Sequence, residues 1–337
     1  MNNNEAIELD HGGGGAKSAE LIGEIRKIMS ATGKWKNCAD DAASFVLPAI
    51  SSAEMGCETM KLLFTTDAFI VDPIFFPGGD IGKIAACGTI NDISMMGAKP
   101  IGISLSIVVE EGFPKKDFLK IIKSIDEVSK EAGVPIVTGD TKVTEKGKLD
   151  KIEITTAGVG LATKVISNNG AKVGDVIISS GDLGEHTVAL LSQRFGYKSK
   201  IKTDSKTLNK EIEAVGKYLN AAKDPTRGGL AANIVEIAEK SKVKIILEEE
   251  LLPYKKETKA ISGLLGIDYL SFASEGRFIA TVAEKDAKKV IAILKKFNPE
   301  AKIIGRAEKG KGVFLKTNFG SLRPIEMPRG KLVPRIC

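Results

Sequence analysis

A chain of 337 residues is long enough for two domains, each with its own core. The net charge of +6 is spread over mixed acidic and basic residues, without the clustered Lys/Arg face and interleaved aromatics of a nucleic-acid binder. No apolar run reaches membrane-spanning length, and Met1-Asn2-Asn3-Asn4 has no basic flank or apolar signal core, so a cytoplasmic protein binding neither nucleic acid nor membrane is expected.

Asp10-His11-Gly12-Gly13-Gly14-Gly15-Ala16-Lys17-Ser18 leads into a helix, because Leu21, Ile22, Ile25, Ile28 and Met29 recur at helical spacing and Ser18 can cap the start. Glycines before a helix N-terminus let backbone amides wrap an anion, with Lys17 adding charge; a flexible glycine-rich start is the competing reading. It is not a Walker A loop, since His11 and Ala16 stand where glycines belong. Carboxylates follow at the edges of predicted elements: Asp40-Asp41 after a loop, Asp67 ending Leu62–Thr66, Asp92 in a helix over 81–96, and Asp140 after Val134–Gly139. Asp92 lies among small and apolar residues, where an unpaired carboxylate costs several kcal/mol, so it needs a partner. Scattered aspartates without His or Cys ligands point to Mg²⁺ shared with phosphate oxygens and not to zinc, although capping explains any one of them. Strands over 101–109, 134–138 and 151–160, with a helix over 115–132, predict an α+β sheet with helices on one face. Lys142 is placed just past a strand end, beside Asp140.

Ser167-Asn168-Asn169-Gly170 through Gly174-Asp175 reads as the domain boundary. A strand over 176–180 meets Gly181-Asp182-Leu183-Gly184-Glu185-His186 and a helix over 187–194, and His186 reads as a cap or packing residue. Asp224-Pro225-Thr226-Arg227-Gly228-Gly229 precedes a helix over 230–240 and makes a second plausible anion site. Glu275 enters the strand 278–282. A helix over 286–297 and strands over 301–307 and 312–316 complete a second α+β unit. From 321 a proline-spaced, basic arm is predicted to extend, about 14 residues at roughly 3.1 Å each reaching about 40 Å. It ends in Pro334-Arg335-Ile336-Cys337. The other cysteines, Cys38, Cys57 and Cys87, read as small packed residues; no C-x-x-C pair suggests a disulfide framework or zinc site.

DHGGGG, FTTDAF, FFPGGDIGK, GTINDISMMGAKP, VTGDTKV, GDLGEH, DPTRGG, SEG and the terminal PRIC, in this order along nearly the whole chain, resemble the HypE family of carbamoyl dehydratases in nickel-iron hydrogenase maturation. Small departures from the family pattern are HGGGG for HGSGG, the extra Ala16, Glu185-His186 for DH, and Arg277 for lysine. The resemblance implies a two-domain aminoimidazole-ribotide-synthetase-like (PurM-like) fold, with residues 1–165 binding ATP and dimerising, 166–320 forming the second domain, and 321–337 a mobile tail. It implies a homodimer whose N-terminal sheets close a barrel, and partners in a HypF-type carbamoyltransferase and a HypC–HypD iron-cyanide assembly complex. The implied reaction is ATP-dependent dehydration of a carbamoyl group on Cys337 to a thiocyanate, later passed on as iron-bound cyanide.

On this reading Cys337, Glu275 and Lys142 are catalytic. Gly13, Gly14, Gly15, Lys17, Asp140, Thr141 and Arg227 surround ATP, and Asp41, Asp67, Asp92 and Asp224 hold Mg²⁺. Two alternatives stand beside it: another ATP-dependent synthetase of this fold acting on a free small molecule, as selenophosphate synthetases do, or a non-catalytic thiol carrier. The early loop of selenophosphate synthetases carries a reactive sulfur or selenium, whereas here the sulfur is at the other end.

Overall fold

The computed structural model describes residues 7–8, 11, 13, 15–28, 33–38, 40–47, 59–329, 333 and 335–337. The expectations attached to Gly14, Cys57 and Pro334 lie outside them. The first domain runs through α1 (Ala16–Ile28), β1 (Ala43–Val46), β2 (Lys61–Phe69), the short β3 (Phe75–Phe76) and β4 (Gly79–Asp80), α2 (Ile81–Met95), β5 (Lys99–Glu110), α3 (Lys115–Ala132), β6 (Ile136–Thr144) and β7 (Ile152–Ala162). Five of its strands form one sheet in the order β1-β2-β7-β5-β6, antiparallel except for β5 with β6, and β3 pairs with β4 separately. The strict alternation of burial along β7 shows one face of this sheet covered, and α2 packs across it. Helix α2 is apolar almost all round and buried almost all round, as such a pattern demands. Gly82 lets it meet α3 closely: a Cβ there would come within 2.5 Å of the Ile121 carbonyl oxygen. Helix α3 follows its apolar spacing and stops at Gly133, whose φ of 70° suits glycine.

The second domain comprises β8 (Asp175–Ser179), α4 (Glu185–Phe195), α5 (Asn209–Val215), β9 (Leu219–Lys223), α6 (Gly229–Ser241), β10 (Lys244–Glu248), α7 (Lys256–Leu265), β11 (Ile279–Ala283), α8 (Glu284–Leu294), β12 (Lys302–Glu308), β13 (Val313–Lys316) and β14 (Leu322–Ile325). Seven strands form one sheet in the order β14-β13-β10-β12-β8-β11-β9. No described helix is long and apolar enough to cross a membrane.

Two expectations are corrected here. The strand expected over 134–138 runs on to Thr144, pairing with β5 through Thr144↔Glu110. It is an edge strand, so its polar residues stay in solvent and leave no apolar signature. The arm expected to leave at residue 321 first forms β14, paired antiparallel with β13 from Leu322↔Lys316 to Ile325↔Val313. Pro324 is tolerated there because β14 is an edge strand.

Candidate functional site

Asp41, Asp67, Asp92, Asp224, Glu275, Arg227 and Cys337 come together electrostatically from both domains and from the tail. Asp67 sits on β2 and Asp92 on α2, where Thr65 and Thr89 reach them: Thr65 Oγ1 is 3.0 Å from Asp92 Oδ2 and Thr89 Oγ1 is 3.2 Å from Asp67 Oδ2. Burial pushes the Asp92 carboxyl well above the usual range, and the charges of Asp67, Asp224 and Asp41 add to it. Asp224 rises to about 7, again through burial and then Asp41. One carboxylate oxygen of Asp41, Oδ2, is buried without a partner, while its Oδ1 pairs with Lys223. Lys223 also lies 3.3 Å from Glu236, and Lys240 joins Glu236 at 2.6 Å to Asp40 at 3.1 Å, so an ion-pair network ties the segment before β1 to β9 and α6. Among the described residues no three carboxylate, histidine or cysteine side chains enclose a cation by themselves.

Glu275 is almost fully buried, with its backbone N–H donating to Asp204 Oδ1 at 2.9 Å and its carbonyl accepting from Asn91 Nδ2 at 3.3 Å. Asn91 also accepts from the Leu208 N–H at 2.8 Å, so one α2 side chain locks the two domains beside the site. Burial, then Asp224 and Asp204, push the Glu275 carboxyl well up, and its Oε1 is without a partner. Arg227 is exposed at the turn before α6, which needs its two glycines: Gly228 and Gly229 have φ of 79° and 58°, and a Cβ on Gly229 would lie 2.6 Å from the Leu270 carbonyl oxygen.

The tail enters this site. The Asp72 N–H donates to the Arg335 carbonyl at 3.1 Å and the Ile70 N–H to the Cys337 carbonyl at 3.4 Å, so the last residues run alongside the segment after β2. Ile336 is 6% exposed in the first domain's core cluster. Burial, then the Glu275 charge, push the Cys337 thiol pKa up, and Arg227 opposes them. The expectation of packed cysteines is corrected for Cys38, which is exposed, and holds for Cys87, which is buried; Cys337 is half-buried. Two arginines of the tail are paired with carboxylates outside the cleft, Arg335 with Asp150 and Arg323 with Asp268.

Other expected residues lie elsewhere. Asp140, Thr141 and Lys142 are within β6 and not beyond a strand end; the Lys142 ammonium is 2.9 Å from Asp140, and both are exposed. Asp67 aligns through Thr156 and Leu105 with Gly139, three strand spacings or about 14 Å away, so this part of β6 does not join Cys337 within one chain. Gly13 and Gly15 precede α1, and the neighbouring Ala16 N–H donates to the Pro328 carbonyl at 3.1 Å. Lys17 is ion-paired with Glu8 at 2.6 Å. The apolar positions that predict α1 do not make a buried face: Ile22, Ile25 and Ile28 are exposed. Sequence reasoning missed Lys223, Asp204 and Thr65. Lys223 directly precedes the Asp-Pro turn and could have been found by placing β9.

Residues 39–162 match the family of AIR synthase related protein, N-terminal domain, and residues 172–318 that of the C-terminal domain. The carbamoyl dehydratase HypE of Cupriavidus necator is 40% identical over 342 residues, covering 98% of this chain and 95% of that one. A HypE chain solved in a HypE–HypF complex superposes with a TM-score of 0.82 at 39% identity, covering 91% of this chain and 99% of that one. A HypE solved in complex with ATP gives 0.79 at 33%, covering 98% and 100%.

Proposed function

Because the chain belongs to the HypE family, we propose that it dehydrates a carbamoyl group carried on its own Cys337 to a thiocyanate, using ATP. The observation that carries this reading is the docked tail, whose backbone pairs beside Ile70 and Asp72 and buries Ile336, so that Cys337 lies within the electrostatic reach of Glu275 and the buried aspartates. The carboxamide oxygen is a poor leaving group, so it attacks the γ-phosphate of ATP and displaces ADP. One nitrogen proton leaves as the phosphorylated S-imidate forms, and the second leaves as the C–O bond breaks, giving S–C≡N and inorganic phosphate. Glu275 is suited to take these protons, because a carboxylate whose pKa is raised is a stronger base once ionised. Arg227, close enough to lower the Cys337 thiol, also suits the developing negative charge. Burial keeps water from the activated intermediate.

The oxygen-only donors Asp41, Asp67, Asp92 and Asp224 fit Mg²⁺: they repel one another, and Asp41 keeps an unpartnered buried oxygen. Mg²⁺ commonly takes one or two carboxylates together with phosphates and water, so a closed protein shell is not required. When bound, the ion neutralises charge on the transferring phosphoryl. Asp140, Thr141 and Lys142 reach a cleft from a second copy in this reading. In support, β6 has a free edge, and Val137 and Val143 on it are exposed, as are Phe64 and Ile101 of neighbouring strands. Gly13, Gly14, Gly15 and Lys17 are assigned to the nucleotide phosphates. A HypF-type carbamoyltransferase loads the tail in the cytoplasm, and a HypC–HypD complex receives the cyanide.

Mass spectrometry of the carbamoylated protein with Mg-ATP tests the reaction. The C-terminal peptide should lose the mass of one water, and Cys337→Ala should abolish the loss; retention of the full mass in the wild type refutes the proposal.

A further inference from the structure

We infer that His186 is a positioning residue that latches the C-terminal tail in the cleft, its Nε2–H donating to the Ile336 carbonyl and fixing the peptide that carries the Cys337 sulfur. The assignment rests on the reading of Cys337 as the reacting sulfur, but its test requires no turnover.

The local fold drives this imidazole inward. Gly184 caps α4 with φ of 77°, and its N–H donates to Ser274 Oγ at 2.8 Å. The space there is closed to a side chain, since a Cβ would lie 2.9 Å from Phe272 Cβ. The first turn of α4 therefore begins inside the protein, and His186 is fully buried with the Phe76 ring edge-on at 5.3 Å. A buried imidazole is costly unless both nitrogens find partners. Here both do: Nδ1 is 2.9 Å from Thr203 Oγ1, and Nε2 is 2.7 Å from the Ile336 carbonyl oxygen.

Hydrogen accounting fixes the tautomer. The Ile336 carbonyl can only accept, so Nε2 must carry a proton. The Ser205 N–H donates to Thr203 Oγ1 at 3.1 Å, and the Ser205 hydroxyl, 2.6 Å away, can donate to the same oxygen. The Thr203 proton is then free for Nδ1, which accepts it. Burial lowers the imidazole pKa, in keeping with the neutral ring this chain of donors describes. Thr203 is itself held by its N–H donating to the Pro77 carbonyl at 2.9 Å, so the relay is anchored at both ends.

The bond acts near the chemistry. The Ile336 carbonyl belongs to the rigid peptide plane that ends at the Cys337 Cα, so fixing it restricts the sulfur to rotation about few bonds. Arg194, whose Nη2 donates to the Arg335 carbonyl at 3.0 Å, holds the preceding peptide. Together the two α4 side chains hold successive carbonyls of the tail, and the histidine holds the one adjoining the reactive residue.

Site-resolved alkylation of the full chain with iodoacetamide tests the latch. Cleavage at glutamates leaves the tail after Glu326 as one peptide for mass spectrometry; exposed Cys38 is the reference and buried Cys87 reports unfolding. His186→Ala should speed Cys337 alkylation about tenfold, the factor one lost hydrogen bond accounts for. Cys38 should be unchanged and Cys87 unlabelled. His186→Gln, which can place an amide N–H where Nε2 stands, should return the rate close to wild type. A His186→Ala rate within twofold of wild type, or a His186→Gln rate equal to that of His186→Ala, overturns the assignment. Where His186→Ala labels Cys87, Thr203→Val decides: faster Cys337 labelling with Cys87 protected supports the latch, and an unchanged rate overturns it. A carbamoylated wild type that loses no water would overturn the dehydratase reading and leave the alkylation outcome standing.

Discussion

Ile336→Ala isolates how tail docking is held by packing. The Ile336 side chain is almost fully buried, in a cluster that includes Leu190 and Ala273 of the second domain. An undocked tail exposes it. Truncation removes three carbons, and at about 0.8 kcal/mol per buried methylene the docked state loses about 2.4 kcal/mol. At a factor of ten for every ~1.4 kcal/mol, the undocked fraction rises about 50-fold. When docking is fast compared with labelling, Cys337 alkylation follows that fraction. The rate should therefore rise about 50-fold in Ile336→Ala, and only a few-fold in Ile336→Leu, which conserves volume. A Cys337 rate unchanged within twofold, with Cys87 still protected, would refute the reasoning, because the tail would then owe its position to something other than this side chain.

Glu275→Gln should keep ATP binding and slow single-turnover loss of water by about 10²–10⁴, the range for a positioned general base; a rate within threefold of wild type would remove Glu275 from the base role. Docking should also depend on pH. Because the docked thiol pKa is raised, docking is at full strength below the free-thiol pKa of about 8.5 and is lost as pH rises above it. Alkylation of Cys337 should thus keep rising about tenfold per pH unit where a free cysteine peptide has levelled off, and levelling at the same pH would contradict a buried thiol.

Asp92 was legible because a carboxylate inside an otherwise apolar helix has to be explained. The two-domain order was legible through its motifs, as were Asp224 and Glu275, which sit where loops meet strands. Lys223 was not, because the five residues of β9 carry too little alternation to stand out, and its buried partner Asp41 lies 182 residues away in sequence. Lys142 was misplaced for a related reason: an exposed edge strand has no apolar rhythm, so β6 reads as ending at residue 138 when it runs to Thr144. Proline and charge argue for an extended arm but not for where it rests, because the Ile70 and Asp72 N–H groups that receive its last residues are backbone donors without a sequence signal. His186 reads as a cap or packing residue, and it is packed, but its partner, the Ile336 carbonyl, is a backbone group that carries no sequence signal.

The electrostatics of the cleft bear differently on the two substrates of the proposed reaction. Asp41, Asp67, Asp92, Asp224 and Glu275 outnumber the cations Lys223 and Arg227, and Lys223 is already committed to Asp41 and Glu236. A triphosphate brought alone into such a field meets like charge at short range, where the low dielectric makes repulsion strong. In the proposed reaction a cation accompanies it, which gives the unpartnered oxygen of Asp41 a role that packing alone does not. The tail meets no such barrier. Its Arg335 is neutralised at the rim by Asp150, its Ile336 is apolar, and its sulfur enters protonated or, once carbamoylated, uncharged. A thiolate alone among the tail's forms is disfavoured, since burial and the Glu275 charge both oppose it. On the proposed reading, the same carboxylates that make nucleotide entry depend on a cation also favour a capped sulfur over a free thiolate, and the docked state is biased toward the form of the tail that has something to react.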